Sequence, residues 1–433
     1  MNKSITKFKF TKEEKSWILY DWANSVYATN IMAAIFPIYF TAVCGGEGTT
    51  GMEWWGYGTS IATLVVAILA PFIGAMGDYR GMKKKFFSFF MITGVLCTLI
   101  MAIFDNWQML LVGYVLSYIG YAGSGLFYDS FLTDVTETNR MDKVSSWGYA
   151  MGYIGGSTIP FLISIAILLI MGMSNPLAVK ISVVLTSLWW GIFSIPILKN
   201  VHQKHYLERP KNIIADSFKS TLKTAKDIFS NKGLLLFILS YFCYIDGVNT
   251  VIHMSTSYGK TLGLDSTGMI LALLVTQIVA VPCSILFGKL ANKIGSLKMI
   301  GTAIGIYFMI CLVGFYMGYS IEVANFTPES IKRSEILFWL MAFMVGTVQG
   351  GIQALSRSYF GKLVPPERSN EFFGFFDIFG RFATVVGPFL VSLVTTLTGR
   401  SSFGILSLLV LFIAGGLILF LGKNKMKQTE QVI

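Results

Sequence analysis

The sequence predicts an all-α membrane protein, with twelve transmembrane helices arranged as two pseudo-symmetric six-helix bundles. Three observations carry that reading. The 433 residues are 54% hydrophobic and only 13% charged, where a soluble domain carries about 25% charged residues. Apolar runs long enough to span a bilayer, about 20 residues each, start near Trp17, Trp55, Phe86, Met109, Ser146, Ala178, Gly233, Gly268, Leu297, Glu335, Phe372 and Phe403. Finally, a polar helical motif and a glycine-pivoted turn each occur twice, once in each half of the chain.

The chain opens on a basic tail, Lys3 to Lys15, that leads into a full-length span with no short apolar region and cleavage site; the first helix is expected to be retained. That span, WILYDWANSVYATNIMAAIFPIYF, carries Asp21, Asn24 and Ser25. A carboxylate in hydrocarbon costs about 2.5–3.5 kcal/mol or more, so these groups should face protein or water. The second span ends in GAMGDYRGMKKK, with Gly74, Asp78, Arg80, Gly81 and Lys83. The fourth closes on Tyr128, Asp129 and Ser130, with Asp134 read as a helix-end carboxylate. Gly148, Gly152, Gly155 and Gly156 in the fifth suit a close helix crossing.

The longest polar connection, Lys199 to Lys232, divides the chain into a six-span bundle at 1–199, a linker at 200–232 and a second bundle at 233–433. Within it Ile213, Ile214, Phe218, Leu222, Ala225 and Phe229 recur at helical spacing among lysines. The pattern fits an amphipathic helix on the inner leaflet, or a solvated linker. In the seventh span Asp246, Asn249 and His253 share one face, as do Gln349, Gln353 and Arg357 in the tenth. The eighth ends in GKLANKIGSLK, with Gly288, Asn292 and Gly295. The eleventh carries Glu371 and the i, i+4 pair Asp377 and Arg381, read as a structural ion pair.

The repeats align as Gly74 with Gly288, Asp78 with Asn292 and Gly81 with Gly295; Asp21, Asn24 and Ser25 fall on Asp246, Asn249 and Thr250; Pro160 falls on Pro388. Duplicated halves are the signature of a secondary transporter with its site between the repeats. On the same alignment Arg357 matches Asp129, which predicts a salt bridge across the pseudo-twofold axis.

The net charge of +11 orients the chain and requires no nucleic acid. With both termini cytoplasmic, inner segments hold 27 of the 34 lysines and arginines and outer segments hold five. The five cysteines, Cys44, Cys97, Cys243, Cys283 and Cys311, show no pairing or ligand spacing and read as core residues. There is no phosphate-binding G-x-x-x-x-G-K-[S/T] loop, no metal-ligand set and no nucleophile elbow. No cofactor and no enzymatic activity are expected.

GAMGDYRGMKK resembles the signature loop of the major facilitator superfamily, although Tyr79 stands where a basic residue normally follows the aspartate. YDWANSVYATNIMAAIFPIYF further resembles the vacuole-effluxer-like branch, which includes fungal autophagy-linked amino-acid exporters and many bacterial members. The resemblance implies a central cavity lined by the first, fourth, seventh and tenth spans. It also implies a gating loop in which Asp78 meets a neighbouring helix end while Arg80, Lys83, Lys84 and Lys85 sit at lipid headgroups. It points to a monomer in the plasma membrane that moves a small polar solute, an amino acid favoured and outward, by alternating access. The coupling ion is expected to be H+, because Asp21, Asp246 and His253 titrate, or Na+, which carboxylate and amide oxygens can cage. The candidate cavity residues are Asp21, Asn24, Ser25, Asp129, Asp246, Asn249, His253, Gln349, Gln353 and Arg357. Rival readings are a cation-coupled sugar transporter and a lipid-handling or non-transporting membrane protein.

Overall fold

A computed structural model describes residues 8–44, 50–172, 175–324 and 326–432; Lys3 and Lys7 of the basic tail lie outside them. Eleven helices among the described residues are long and apolar enough to cross a membrane. A bent pair, Lys12–Ala34 and Phe36–Val43, meets at 41° and supplies the first span. The others are Glu53–Gly77, Lys83–Met101, Trp107–Val135, Met141–Met171, Pro176–Asn200, Lys232–Thr261, Leu271–Ile294, Ser296–Val323, Pro328–Lys362, Pro366–Thr398 and Ser401–Val432.

Several helices begin before their apolar runs, because polar caps extend them. Thr11 and Glu14 form a reciprocal capping box at the first; Asn106, Asn175, Asn231 and Thr327 each accept a backbone N–H at the start of another. Two apolar cores result. One runs from Trp17 to Val201 and the other from Ile228 to Met426, so the first and last six spans form separate bundles.

The first and fifth spans each contain a π-helical turn, Ala28–Ala34 and Gly152–Thr158. These are the irregularities that recur at functional sites. The eleventh span is broken between Ser369–Phe382 and Val386–Thr398. Between spans six and seven the chain makes a strap and then the helix Ile213–Ser230; the side of the protein that carries it is called the linker face below.

The bundles join at the linker face along two repeat-related seams. In one, Gly74 of the second span lies against the start of the eleventh, where a Cβ on it would come within 2.5 Å of the Asn370 carbonyl oxygen. In the other, Gly288 of the eighth lies against the start of the fifth, where a Cβ would meet Ser146 Oγ at 2.6 Å and the Asp142 carbonyl oxygen at 2.9 Å. Only glycine allows either approach. Beyond its break the eleventh span packs on spans seven and twelve of its own bundle, and Phe389 and Leu397 there are 61% and 76% exposed.

Candidate functional site: a cavity between the bundles and its latch

A cavity of ≈ 230 Å³ lies between the bundles, lined by Asp129, Tyr149, Tyr241, Asn249, Gln353, Arg357, Asp377 and Arg381 among others. At its margin sits Arg357, only 4% exposed. Its guanidinium donates to Asp21 Oδ2 at 3.1 Å, Asp129 Oδ1 at 3.0 Å, and the hydroxyl and carbonyl of Ser145 at 2.9 and 3.2 Å. The planar fork is thus held by two carboxylates of the opposite bundle, a geometry for which arginine is suited and lysine is not.

Aromatic faces complete the cage. The rings of Tyr149, Trp17 and Tyr128 lie 4.5, 4.6 and 5.3 Å from the guanidinium carbon. Tyr128 Oη donates to Asp21 Oδ2 at 2.6 Å, and Trp17 Nε1 donates to the Tyr128 carbonyl at 2.8 Å. Gly148 makes the cluster possible, since a Cβ there would lie 2.3 Å from Asp21 Oδ2 and 3.1 Å from Arg357 Nη2.

The cage is buried but unevenly so. The Asp21 side chain is 12% exposed and that of Asp129 is 35% exposed. Asp129 therefore reaches the cavity while Asp21 is covered.

The candidate residues do not all gather here. Asn249 and Gln353 line the cavity, and Gln349 is buried one turn away from Gln353. Asn24 is 7% exposed within its bundle. Ser25 donates back to the Asp21 carbonyl at 2.8 Å, against Gly152 and Gly156. His253 is exposed, outside the cavity lining.

Asp246 departs most from the expected place. It is fully buried and accepts the backbone N–H groups of Gly387 at 2.9 Å and Val386 at 3.1 Å. It caps the second half of the broken eleventh span, whose first N–H groups have no partner in their own helix. Asp377 and Arg381 make the expected i, i+4 pair at 2.6 Å and also line the cavity, and Arg381 Nη1 reaches Tyr118 Oη of the other bundle at 3.0 Å.

At the linker face the signature loop forms a latch. Asp78 is 1% exposed; its Oδ1 accepts from Asn370 N at 2.9 Å and Nδ2 at 2.8 Å, and its Oδ2 accepts from Glu371 N at 3.0 Å. The carboxyl thus sits at the start of the eleventh span, where N–H groups and the helix dipole favour an acceptor. Burial pushes it up to about 8, against the pull of Lys83 and these N–H groups. Gly81 takes φ +72° and Gly295 φ +96°, the left-handed region where a side chain strains the turn.

Three expectations are corrected at this face. Lys83 does not reach headgroups: it is fully buried and paired with an equally buried Asp134 at 2.6 Å. Asp134, read as a helix-end carboxylate, also accepts the N–H groups of Lys204 and His205 at 2.7 and 2.9 Å. Arg80, by contrast, is exposed. Asn292, the repeat partner of Asp78, is exposed too; the second seam is held instead by Asp142. That carboxylate accepts from Ser358 Oγ at 2.6 Å, Lys362 Nζ at 2.7 Å and Ser296 Oγ at 2.8 Å.

The sequence reading overlooked Asp142, Ser296, Ser358, Lys362, Asn370 and the aromatic cage. A signal was present. The separation that matches Asp129 with Arg357 also matches Ser130 with Ser358, Asp134 with Lys362 and Asp142 with Asn370. The hydroxyl pair is used symmetrically, Ser130 donating to Asn370 as Ser358 donates to Asp142.

Comparison with known proteins agrees with this architecture. The family described as "Vacuole effluxer Atg22 like" matches residues 55–432. An uncharacterized MFS-type transporter, YxiO, of Bacillus subtilis is 44% identical over 421 residues, 95% of each chain. Autophagy-related protein 22-1 of Emericella nidulans is 28% identical over 62% of this chain, the match spanning 47% of that longer protein. Among solved structures, a bacterial homologue of the iron transporter ferroportin in an outward-facing state superposes with TM-score 0.70 at 14% identity, covering 95% of this chain and 98% of that one. The proton:xylose symporter XylE superposes with TM-score 0.70 at 12% identity, covering 94% of each chain.

Proposed function

We propose that this chain, which belongs to the vacuole effluxer Atg22-like family of major facilitator transporters, moves a small polar solute across the plasma membrane by alternating access. The observation that carries the reading is Arg357 of one bundle held by Asp21 and Asp129 of the other at the edge of a shared cavity. Such a contact has to break whenever the bundles rock apart on the linker face, and a bound solute or proton can make it break.

The linker face is cytoplasmic on this reading, since the linker is one of the sequence segments that together hold 27 of the 34 basic residues. The structure is then the state closed to the cytoplasm, with the Asp78 and Asp142 latches both made. Protonation of Asp129, the carboxyl open to the cavity, removes its charge from the Arg357 guanidinium and lowers the cost of opening. Proton coupling follows from that step. Sodium would instead need carboxylate and amide oxygens placed together, and Asp129, Asp377, Asn249 and Gln353 are the groups lining the cavity that carry them.

The favoured cargo is an amino acid, carried outward. Asp129 and Asp377 offer acceptors for an ammonium group, and Arg381 offers a fork for a carboxylate, all lining the same cavity. A sugar is the competing cargo, because Asn249, Gln353 and the Tyr149 and Tyr241 faces would serve hydroxyls and a pyranose ring equally well. Counterflow into proteoliposomes tests both. Exchange of a radiolabelled neutral amino acid, accelerated by an imposed pH gradient and made indifferent to that gradient in Asp129→Asn, is the expected result. Exchange of sugars alone, or flux indifferent to pH in every variant, overturns the reading.

A further inference from the structure

The helix Ile213–Ser230 presents three distinct faces. Ser217, Thr224 and Ile228 are buried against the protein. Ile214, Phe218, Leu222 and Phe229 form a stripe that is 60–67% exposed. Lys219, Lys223 and Lys226, all exposed, flank that stripe on the side away from the protein. An apolar stripe bordered by lysines, on a helix packed beside the ends of membrane spans, is complementary in shape and charge to the headgroup layer of an anionic leaflet.

The protein-facing side of this helix is wired to the latch. Ser220 Oγ donates to Glu371 Oε2 at 2.9 Å, and Arg368 donates to Asp227 at 2.8 Å and to Thr224. Glu371 is the residue whose N–H holds Asp78 Oδ2. Ahead of the helix the strap is pinned to the same loop. Leu207 N donates to the Asp78 carbonyl at 2.8 Å, Arg80 N to the Leu207 carbonyl at 2.9 Å, and Gly81 N to Gln203 Oε1 at 2.9 Å. Strap, helix and latch therefore close or part together.

We propose that the linker helix docks on an anionic lipid leaflet and that this docking favours the latched state, making gate closure responsive to the lipid composition of the membrane. The inference rests on the gating role proposed above for the latch. Lipid that binds the helix only in its latched position shifts the equilibrium by its differential affinity for the two states. A shift of about fivefold is what the attraction of roughly one lysine to an anionic surface supplies.

Hydrogen–deuterium exchange of the full chain, one copy per nanodisc, reads the latch directly through the N–H groups of residues 80–81, 204–207 and 370–371. Adding phosphatidylglycerol to phosphatidylcholine discs should slow their exchange about fivefold. The triple change Lys219→Gln, Lys223→Gln, Lys226→Gln should erase that difference. Ser220→Ala should weaken it at the latch while leaving protection of the helix itself in place. A latch that responds to solute or pH but exchanges equally in both lipids overturns the inference alone. One slow rate in every lipid and with every solute overturns the gating reading with it.

Discussion

Replacing Arg357 by glutamine, alone and combined with Asp21→Asn or Asp129→Asn, measures what the two carboxylates contribute to the closed state. At N–O separations of 3.0 and 3.1 Å and an effective dielectric of about 20, each pair attracts by about 5 kcal/mol. Desolvation of buried ions offsets several kcal/mol of this. The two pairs should differ, because Asp21 is 12% exposed and Asp129 35% exposed; water screens the second. We expect a coupling of about 2 kcal/mol for Asp21 with Arg357 and about 1 kcal/mol for Asp129 with Arg357. These correspond to changes of about thirtyfold and fivefold in the closed-to-open ratio. Spin labels at Lys85→Cys and Lys298→Cys, both exposed positions on opposite bundles at the linker face, report that ratio in a background lacking the five native cysteines. Couplings below about 0.3 kcal/mol in both cycles, or a larger value for Asp129 than for Asp21, would refute the reasoning.

Three further outcomes follow from the geometry. Gly148→Ala places a methyl 2.3 Å from Asp21 Oδ2; it should displace the carboxylate, lower the closed fraction in the same distance measurement and reduce flux without loss of folded protein in detergent. Asp246→Asn should lower the melting temperature by weakening a helix cap, a loss of about 1 kcal/mol, yet leave the thermal shift caused by a cargo amino acid intact. Loss of that shift would place Asp246 in the solute site instead. The closed fraction should also depend on pH through Asp78, which is pushed up to about 8 when buried and should return to about 4 when the latch opens to water. The closed state then binds the extra proton, so closure is favoured at low pH, declines as pH rises from about 4 to 8 and levels off above. Asp78→Asn should flatten this profile at the spin-label pair.

The sequence made legible what repeats or follows a helical period. The twelve spans, the Asp129 and Arg357 match, Asp21 and the glycine-pivoted turns can all be read from the printed chain. The departures share one cause, which is that burial is decided by elements remote in sequence. Lys83 looks like one of a run of headgroup lysines until the starts of the fourth-to-fifth turn and the eleventh span close around it. Asp142 looks like a loop acid until span nine supplies Ser296 and span ten supplies Lys362. Asp246 shares its spacing with Asp21, but a break in span eleven exposes two N–H groups that Asp21 never meets, since the corresponding stretch of span five is a continuous π turn. The Pro160 and Pro388 match marked both irregular stretches without revealing which acid would cap one of them.

The central claim is that solute passes only if the linker-face seam parts. Ser130→Cys with Asn370→Cys places two thiols where a hydroxyl and an amide now touch across that seam, in a background free of other cysteines. Counterflow of a labelled amino acid is measured in the same proteoliposomes before oxidation, after it, and after reduction. The account predicts flux that falls to the protein-free background when the disulfide forms and returns on reduction. Undiminished flux through fully cross-linked protein would contradict it.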